Sequence, residues 1–301
     1  MSDIFSAKAY AKLEESSYSL EDVIQNVARH QTGATIYDVP ALRAKIVAGE
    51  TFLLAPQSTQ TYRLAGQGIK SVYDAVRTQI HANMLAPILK EQINPQKKPR
   101  LILLAGRSGS GKTTFLKPQF PDAVYVDTDQ FVTQFPGYNG LNAWTFHEES
   151  VDVAEKALNL CQALGLSALV ETTLGSKERT LNRIRRFRSA GYKVELHYVY
   201  VSPFESACRA FRRFLKAGEN GRYLPISRLL TQTGQEAHFD VLKNLVDIWG
   251  FYDGTSGGPT EKAFCIQGEN LGPKTDEIIA CGVLPVLASS TGQINPEQTL
   301  G

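Results

Sequence analysis

A glycine-rich segment that starts at Gly106 has the residue types and spacing to hold phosphate groups. It reads Gly-Arg-Ser-Gly-Ser-Gly-Lys-Thr-Thr over residues 106–114, which fits the pattern G-x-x-x-x-G-K-[ST]. Glycines let backbone N–H groups converge on phosphate oxygens, and a helix that begins at the end of the loop adds a favourable dipole. Lys112 could reach the β- and γ-phosphates of a nucleotide, and the Thr113 hydroxyl could bind Mg²⁺. The residues predicted to contact the nucleotide are Gly106, Ser108, Gly109, Ser110, Gly111, Lys112, Thr113 and Thr114.

The alternative for this glycine-rich segment is an ordinary strand-to-helix turn with an exposed lysine that binds no nucleotide.

Nucleotide binding alone would not identify the reaction that the protein catalyses. The sequence lacks the N-K-x-D motif with which a GTPase reads its base, and it lacks the apolar run ending in Asp-Glu that is typical of AAA-type ATPases. Residues 115–301 have the size of the catalytic part of a small-molecule kinase, so a second substrate should bind at other strand ends.

Three carboxylates follow apolar runs that are predicted to be neighbouring strands. Asp127 and Asp129 come after the run at 123–126, and Glu171 comes after the run at 168–170. The carboxyl ends of parallel strands meet at one edge of a sheet, and ligands bind there. We therefore expect these carboxylates to face the phosphate loop.

The elements that would position these residues alternate between strands and helices. Strands are predicted at 101–105, 123–126, 168–170 and 194–201, and helices at 112–117, 148–164, 177–190 and 204–217. Nearly continuous apolar strands separated by helices favour an α/β fold, with a mostly parallel sheet covered on both faces.

The first 65 residues have a different pattern, that of a small, mainly helical unit. Ser19 can cap a helix whose apolar face contains Leu20, Val23, Ile24 and Val27. A second helix is predicted at 40–47, ending before Gly49, and a short strand at 52–54. A third helix, with Val72, Val76 and Ile80 on one stripe, would run towards Leu89 with a bend at Pro87. We expect one unit at 1–65 and a catalytic domain at 66–301.

The composition excludes several classes of protein. Of the 301 residues, 43% are hydrophobic and 21% are charged, which is ordinary for a globular protein with a sizeable core. Thirty-two basic and 30 acidic residues leave a net charge of +2. Because this charge is so balanced, neither nucleic acid nor an anionic membrane is an expected partner.

The cysteines and the apolar runs predict a cytoplasmic protein. Cys161, Cys208, Cys265 and Cys281 show no C-x-x-C spacing, so reduced core thiols are expected instead of a disulfide framework or a zinc site. The N-terminus has no apolar core of a secretory signal. The run at 278–288 is too short to span a bilayer.

Between about residues 85 and 265, the chain resembles the zeta toxin family of P-loop kinases. Besides the phosphate loop, the resemblance rests on motifs in the family's order: Asp-Thr-Asp-Gln-Phe at 127–131 with Pro136, Glu-Thr-Thr-Leu at 171–174, Gly191-Tyr192, Arg209 and Arg213, Gly-Arg-Tyr-Leu-Pro at 221–225, and Arg228. It implies the three-layer P-loop kinase fold, ATP and Mg²⁺ as cofactors, and transfer of the γ-phosphate to a hydroxyl.

The resemblance also implies roles for the acidic side. Asp129 would accept the proton of the acceptor hydroxyl, since phosphoryl transfer depends mainly on positioning and charge. Glu171 would orient that hydroxyl or hold the sugar, and Thr173 would contact the substrate. Asp127 could bind Mg²⁺ beside Thr113, or it could be an ordinary aspartate at a strand end.

A cationic helix face supplies the third part of the predicted site. Residues 205–216 read as a helix with Arg209, Arg212, Arg213 and Lys216 on one face, which in isolation is usually a solvated surface. The family uses arginines of this helix and of the following turn to clamp ATP. Arg213 and Arg222 are therefore expected to stabilise the transferred phosphate, with Arg209 as an alternative first arginine that also contacts ATP.

The remaining aromatic residues and histidines carry weaker predictions. His147 and His197 are more typical of packing or a surface hydrogen bond than of catalysis. Trp144 and Phe146 could border the acceptor pocket or lie in the core. A further aromatic group is expected to pack a C-terminal helix: Trp249, Phe251 and Tyr252.

Three functions stay open from the sequence. The resemblance implies a kinase that phosphorylates the sugar of UDP-N-acetylglucosamine and acts as a bacterial toxin. The same chemistry could act on NAD or another nucleotide, an amino acid or a drug hydroxyl. A nucleotide-gated regulatory protein without turnover is the third. Zeta toxins are commonly inhibited by a small helical antitoxin, so residues 1–65 could inhibit in cis, could be a structural appendage, or could leave inhibition to a partner in trans.

Overall fold

The elements of the chain are seen in a computed structural model that describes residues 5–11, 17–31, 35–90, 95–218, 221–255 and 259–266. The strands are β1 (Arg63–Ala65), β2 (Val72–Tyr73), β3 (Arg100–Ala105), β4 (Val124–Val126), β5 (Ala168–Thr172), β6 (Lys193–Tyr200), β7 (Ile248–Asp253) and β8 (Thr260–Ile266). The helices are α1 (Ala7–Ala11), α2 (Leu20–Arg29), α3 (Val39–Glu50), α4 (Ser58–Tyr62), α5 (Ala75–Lys90), α6 (Lys112–Leu116), α7 (Thr128–Val132), α8 (His147–Ala163), α9 (Lys177–Ser189), α10 (Pro203–Ala217), α11 (Ile226–Leu230) and α12 (Gln235–Leu242).

The main sheet has the strand order β4-β5-β3-β6-β7-β8. Every neighbouring pair is parallel except β7 and β8, which are antiparallel. The central strand β3 is fully buried from residue 101 to 105. This arrangement confirms the predicted α/β fold, and the predicted strands and helices of residues 101–217 agree with the observed ones to within two residues at each end.

Parallel pairing brings the predicted site residues to one edge of the sheet. β3 ends at Ala105, directly before the glycine-rich loop, and Ala105 lies beside Thr172 of β5. Val126, the last residue of β4, lies beside Val170. Lys112 and Asp127 therefore follow strand ends at the same edge of the sheet at which Glu171, the next-to-last residue of β5, lies.

The N-terminal helices pack against the part of the chain that follows β6. Ser19 caps α2 as predicted, and α2 buries Val23, Ile24 and Val27. These residues form one apolar cluster with α3, α10, α11 and the segment before α11, and its members include Leu42, Ile46, Ala207, Cys208, Phe211, Phe214, Tyr223 and Ile226. The proposed boundary at residue 65 falls within β1, which pairs with β2, and the division into two units stays a prediction.

Several local predictions were wrong in this N-terminal region. The predicted strand at 52–54 is instead a 3₁₀ turn, Thr51–Leu53. The second helix runs through Gly49 to Glu50. Val72 lies in β2, and Val76 is 71% exposed on α5.

The predicted stripe on α5 fails because this helix buries polar side chains. Arg77 and His81 face Glu149 of α8, which is 0% exposed, at 3.5 and 2.8 Å. Met84 and Ile88 continue the same face towards the main core. A hydrophobic pattern could not identify a helix face that begins with an ion pair.

The aromatic group near the C-terminus was also assigned wrongly. Trp249, Phe251 and Tyr252 lie in strand β7, which pairs with β6 so that Trp249 lies beside Leu196 and Phe251 beside Tyr198. Residues 248–253 therefore form a strand because they pair with the edge of β6, although the local sequence pattern suggested a helix.

Cys161 and Cys208 are buried free thiols, as expected, and Cys281 lies outside the described residues. None of the helices in the described ranges combines the length and apolar character that a bilayer crossing requires.

Candidate active site

The glycine-rich loop follows the strand-loop-helix path that its sequence predicts. It connects β3 to α6, and Gly106, Gly109 and Gly111 all have φ values in the left-handed region, which glycine adopts most readily. A Cβ atom on Gly106 would lie 2.4 Å from the carbonyl oxygen of Val199. The backbone path therefore requires glycine. Ser110 is buried, and its Oγ atom has no hydrogen-bond partner among the described residues.

The loop lysine points into the site and is not a surface side chain. Lys112 exposes 11% of its side chain, and its Nζ atom lies 3.1 Å from Oε2 of Glu171. The other carboxylate oxygen of Glu171 accepts hydrogen bonds of 2.5 Å from the hydroxyls of Thr113 and Tyr125. Burial alone would raise the pKa of Glu171, but Lys112 and these hydroxyl groups outweigh it and hold the pKa below its ordinary value.

Asp127 stands beside two other carboxylates. It accepts a 2.9 Å hydrogen bond from the backbone N–H of Asp129 and thereby caps α7. Burial, together with the negative charges of Asp129 and Glu171, raises the pKa of Asp127 to about 6. Three carboxylates thus lie close together at the carboxyl edge of the sheet, and two of them, Glu171 and Asp129, are paired with Lys112 and Arg222.

The oxygen donors at this edge of the sheet fit a hard divalent cation. Asp127, Glu171 and Thr113 offer only oxygen atoms, and Mg²⁺ prefers oxygen donors and is usually held by one or two carboxylates together with phosphates and water. The described residues contain no cluster of three or more histidine, cysteine or acidic side chains in metal-binding geometry. A magnesium ion would therefore rely on nucleotide phosphates for part of its ligand shell.

Asp129 is paired with an arginine that follows α10. Both terminal amino groups of Arg222 donate to the two carboxylate oxygens of Asp129. Arg222 exposes 14% of its side chain and Asp129 exposes 42%. The structure therefore brings together two residues that the sequence predicted for the same site, in a mutual contact that the sequence did not predict.

The other two predicted arginines occupy different surroundings. Arg209 donates to the backbone carbonyls of Gly109, Gly254 and Thr255 at 2.9–3.1 Å and to Glu205 at 2.6 Å, so it braces the phosphate loop. Arg213 is exposed. Partial removal from water and the nearby charge of Arg222 lower the pKa of Arg213, against the opposing charges of the site's carboxylates.

A cavity of about 420 Å³ adjoins Lys112 and Asp129. Its wall includes further residues that the sequence analysis named: Ser108, Asp127, Trp144, His147, Glu171, Thr173, Arg222 and Arg228. His147 stacks on Trp144, with ring centroids 5.2 Å apart, and the guanidinium of Arg228 lies 5.0 Å from the Trp144 ring centre. Burial lowers the pKa of His147, so its imidazole is neutral at pH 7.

Other predicted residues do not reach this cavity. Thr114 is exposed on α6. Phe146 lies in the main core. His197 is buried in β6, with its ring nitrogens 3.2 Å from the Tyr252 hydroxyl and 3.4 Å from Glu195. It is therefore a packed structural histidine, as expected.

Sequence reasoning missed Tyr125 and Arg179. The alternation of β4 could have identified Tyr125, because its neighbours Val124 and Val126 are buried on the opposite face. Arg179 lies in the first turn of α9 and lines the cavity. Only its position shortly after the end of β5 could have indicated this role.

Comparisons with known proteins give a consistent result. A family model, Zeta toxin, matches residues 86–248, which is more than half of the chain. Toxin PezT of Streptococcus pneumoniae serotype 4 is 26% identical over 163 residues, which are 50% of this chain and 62% of that protein. The chain thus covers less than two thirds of the length of this relative.

One of the solved structures compared is similar in fold, and a second has a lower TM-score. A chain in the crystal structure of AvrRxo1-ORF1:AvrRxo1-ORF2 with ATP has a TM-score of 0.53 and 16% identity, covering 75% of this chain and 81% of that one. A chain from the PezAT toxin-antitoxin system of Streptococcus pneumoniae has a TM-score of 0.48 and 21% identity, covering 58% of this chain and 78% of that one. At 16% identity the likeness to the AvrRxo1-ORF1 complex concerns the fold alone.

Proposed function

The chain belongs to the zeta toxin family, and we propose that it is an ATP- and Mg²⁺-dependent kinase that phosphorylates a sugar hydroxyl of a nucleotide sugar. UDP-N-acetylglucosamine, the usual acceptor of the family, is the first candidate. The observation that carries the proposal is the convergence of Lys112, Asp129 and Glu171 at the carboxyl ends of three adjacent strands. A loop for phosphates and a carboxylate for a hydroxyl proton thus border the same cavity.

The nucleotide side of the proposal rests on the loop. Its backbone N–H groups and Lys112 would hold the β- and γ-phosphates of ATP. Thr113 and Asp127, with Glu171 beside them, would hold Mg²⁺, which neutralises phosphate charge when it is bound. The similarity in fold to a structure that contains ATP is consistent with this cofactor.

The transfer step requires Asp129 and one or two arginines. The carboxylate of Asp129 takes the proton of the acceptor hydroxyl while that oxygen attacks the γ-phosphorus, and the bond to the β,γ-bridging oxygen breaks to release ADP. Arg222 would leave Asp129 and bind the γ-phosphate, joined by Arg213, to stabilise the charge of the transition state. Arg209 would hold the phosphate loop in place through its hydrogen bond to the backbone carbonyl of Gly109.

The alternative without turnover makes a different prediction. A nucleotide-gated regulatory protein would bind ATP with the same loop but would not need a carboxylate at the acceptor cavity. The opening of the cavity onto Asp129 favours the kinase.

We test the proposal by incubating the purified full-length chain with ATP, MgCl₂ and separate acceptors: UDP-N-acetylglucosamine, NAD, N-acetylglucosamine and an amino acid. Mass spectrometry identifies any acceptor that gains one phosphate. Asp129→Asn should bind ATP at least as tightly as wild type, because it weakens the hold on Arg222, and should transfer phosphate about 10²- to 10⁴-fold more slowly. Arg185→Ala, an exposed change on α9, should behave as wild type. A wild-type chain that binds ATP but phosphorylates none of these acceptors would overturn the acceptor assignment.

We further propose that residues 1–65 restrain the kinase in cis; the alternative is an antitoxin that acts in trans. The supporting observation is the apolar cluster that joins α2 and α3 to α10 and α11, on either side of the turn that carries Arg222. A restraint at this place would oppose the movement of Arg222 from Asp129 to the nucleotide. Loosening the contact should therefore raise activity.

A further inference from the structure

The first helix, α1, is fixed to the end of strand β7. The hydroxyl of Tyr10 donates a 2.5 Å hydrogen bond to Oδ2 of Asp253, the last residue of β7. The Tyr10 ring also meets the rings of Tyr200 and Phe251, with centroids 5.3 Å apart in both pairs. Tyr10 and Asp253 lie 243 positions apart in the sequence, so this contact joins the beginning of the described chain to its last parallel strand.

Asp253 links this contact to the turn that follows β7. Its other carboxylate oxygen, Oδ1, accepts hydrogen bonds from the backbone N–H and the hydroxyl of Thr255 at 2.9 and 2.6 Å. Burial alone would raise the pKa of Asp253, but the hydrogen bonds from Thr255 and Tyr10 outweigh it and hold the pKa below its ordinary value. Asp253 is therefore ionised at neutral pH, with one oxygen bound to α1 and the other to the turn.

The turn after β7 contacts the phosphate loop. Its carbonyl groups at Gly254 and Thr255 accept hydrogen bonds of 2.9 and 3.1 Å from Arg209. The same guanidinium donates a 3.1 Å hydrogen bond to the carbonyl of Gly109 in the loop. The turn also packs directly on the loop, because a Cβ atom on Gly254 would lie 2.6 Å from the carbonyl oxygen of Ser110. A displacement of this turn would therefore disturb both the loop backbone and the arginine that braces it.

Helix α1 has a second anchor, on α12. Asp240 accepts hydrogen bonds from the backbone N–H groups of Ala7 and Lys8, each at 2.9 Å. Lys243, whose side chain is 0% exposed, lies 3.1 Å from Asp240 and donates to the carbonyl oxygen of Phe5. These contacts fix the first turn of α1, so the Tyr10 hydroxyl is held in place at Asp253.

The same α12 contacts the phosphate loop directly. Both terminal amino groups of Arg107, the second residue of the glycine-rich segment, donate to the carboxylate of Glu236 on α12. Arg107 is 2% exposed and Glu236 is 5% exposed, and the Tyr198 hydroxyl donates a further 2.7 Å hydrogen bond to Glu236. Helix α1 is therefore attached to two elements, α12 and the turn after β7, and each of them holds the loop through an arginine.

We infer that Tyr10 is a positioning residue for the nucleotide: its hydrogen bond to Asp253 keeps the turn after β7 in the place from which Arg209 shapes the phosphate loop. This inference rests on the proposed binding of ATP by the loop. It gives α1 the opposite effect to the one proposed for α2 and α3. Loss of the Tyr10 contact should raise the KM for ATP, whereas loss of the restraint by α2 and α3 should lower it.

The test compares the full-length wild type with Tyr10→Phe, which keeps the ring and removes only the hydroxyl, and with the control Lys8→Ala, an exposed change on the same helix. Calorimetry measures the affinity for the non-hydrolysable analogue AMP-PNP with MgCl₂. Tyr10→Phe should weaken this binding by about 5- to 10-fold, the lower part of the range usual for coupling between separate sites. In the transfer assay the change should appear in the KM for ATP and not in kcat. Lys8→Ala should bind AMP-PNP as wild type does.

Two further measurements follow the path of the effect. In a chain that already carries Arg209→Ala, the additional change Tyr10→Phe should weaken AMP-PNP binding by less than about twofold, because residues that act through one network are not additive. Hydrogen exchange of the amides at 106–111, measured without nucleotide, should be faster in Tyr10→Phe than in wild type and unchanged in Lys8→Ala.

Several results would overturn the inference. One is a Tyr10→Phe chain that is less stable in urea but binds AMP-PNP as tightly as wild type, which would leave the contact a purely structural role. Others are equal exchange of the loop amides in both chains, or full additivity of Tyr10→Phe and Arg209→Ala. A wild type that binds AMP-PNP but phosphorylates no acceptor would contradict the kinase proposal and leave this inference intact, whereas a wild type without AMP-PNP affinity would overturn both.

Discussion

Arg222 donates both terminal amino groups of its guanidinium to the two carboxylate oxygens of Asp129. This bidentate contact engages the donors that an arginine would use to clamp a phosphate. It also covers the carboxylate that we propose as the proton acceptor. Arg222 can serve only one of these groups at a time with the same donors, so in the proposed mechanism the nucleotide and Asp129 compete for it.

Replacing Arg222 should therefore slow phosphoryl transfer. We expect Arg222→Ala to lower kcat by about 10²- to 10³-fold, because a positioned donor to transition-state charge is lost. The kcat of Arg222→Lys should lie between those of wild type and Arg222→Ala, because lysine keeps the positive charge but lacks the planar guanidinium group. Initial rates with saturating ATP and acceptor measure the effect, with Arg185→Ala as the matched control. A kcat of Arg222→Ala equal to that of wild type would show that Arg222 has no part in the transfer.

Arg209 and Arg213 should be separable by stability and rate. Arg209→Ala should lower the free energy of unfolding by about 1–3 kcal/mol, because it leaves the carbonyls of Gly109, Gly254 and Thr255 without a charged donor. Arg213→Ala should leave this free energy nearly unchanged and should lower kcat. Urea unfolding and initial rates on the same preparations give both quantities. The reverse pattern would identify Arg209 as the arginine that clamps the nucleotide.

The sequence was most informative where local chemistry determines the backbone. The loop from Gly106 to Gly111 needs positive φ values, so its glycines predicted both the turn and the phosphate site. By contrast, the contact between Arg222 and Asp129 joins residues that are 93 positions apart, and no local pattern reports such a pair. The face of α5 was missed for a related reason, because Arg77 and His81 are buried through contacts with distant residues, among them Glu149 of α8 and Phe135.

Asp127 should make stability depend on pH in metal-free buffer without nucleotide. Its pKa is raised to about 6 in the folded chain, so the folded state binds the proton more tightly than the unfolded state does. Stability from this group is therefore fully present below the unfolded pKa, near 4, and is lost as the pH rises towards about 6. Asp127→Asn keeps a side chain that can cap α7 and should remove this loss.

The expected gain at pH 7 for Asp127→Asn is on the order of 1 kcal/mol in the free energy of unfolding, since one pKa unit corresponds to about 1.4 kcal/mol and the carboxyl is partly solvated. Urea unfolding at pH 4.5 and pH 7 measures it, with Asp38→Asn, another helix cap, as the control. A wild-type and an Asp127→Asn chain with the same pH dependence would contradict the shifted pKa.

The final prediction concerns Glu50, which connects the N-terminal helices to the turn after Arg222. Its carboxylate accepts hydrogen bonds from the Tyr223 hydroxyl at 2.7 Å, from the backbone N–H of Ile226 at 2.6 Å and from the Ser227 hydroxyl at 2.5 Å. Glu50→Ala removes all three, so the free energy of unfolding should fall by about 1–3 kcal/mol. The turn would then release Arg222 from Asp129 more readily, which should lower the KM for ATP and raise the rate at limiting ATP.

Two further variants separate release of the turn from general loosening of the N-terminal helices. Glu21→Gln removes the exposed ion pair with Arg43 on the same helices and should change neither stability nor KM appreciably. Gly49→Ala would place a Cβ atom 2.3 Å from the Tyr223 ring, and it should displace the same turn with Glu50 intact. If Glu50→Ala and Gly49→Ala both destabilise the chain but leave the KM for ATP at the wild-type value, residues 1–65 support the fold without restraining the kinase. A lower KM in both variants, with wild-type behaviour of Glu21→Gln, would mean that the N-terminal helices control when Arg222 reaches the nucleotide.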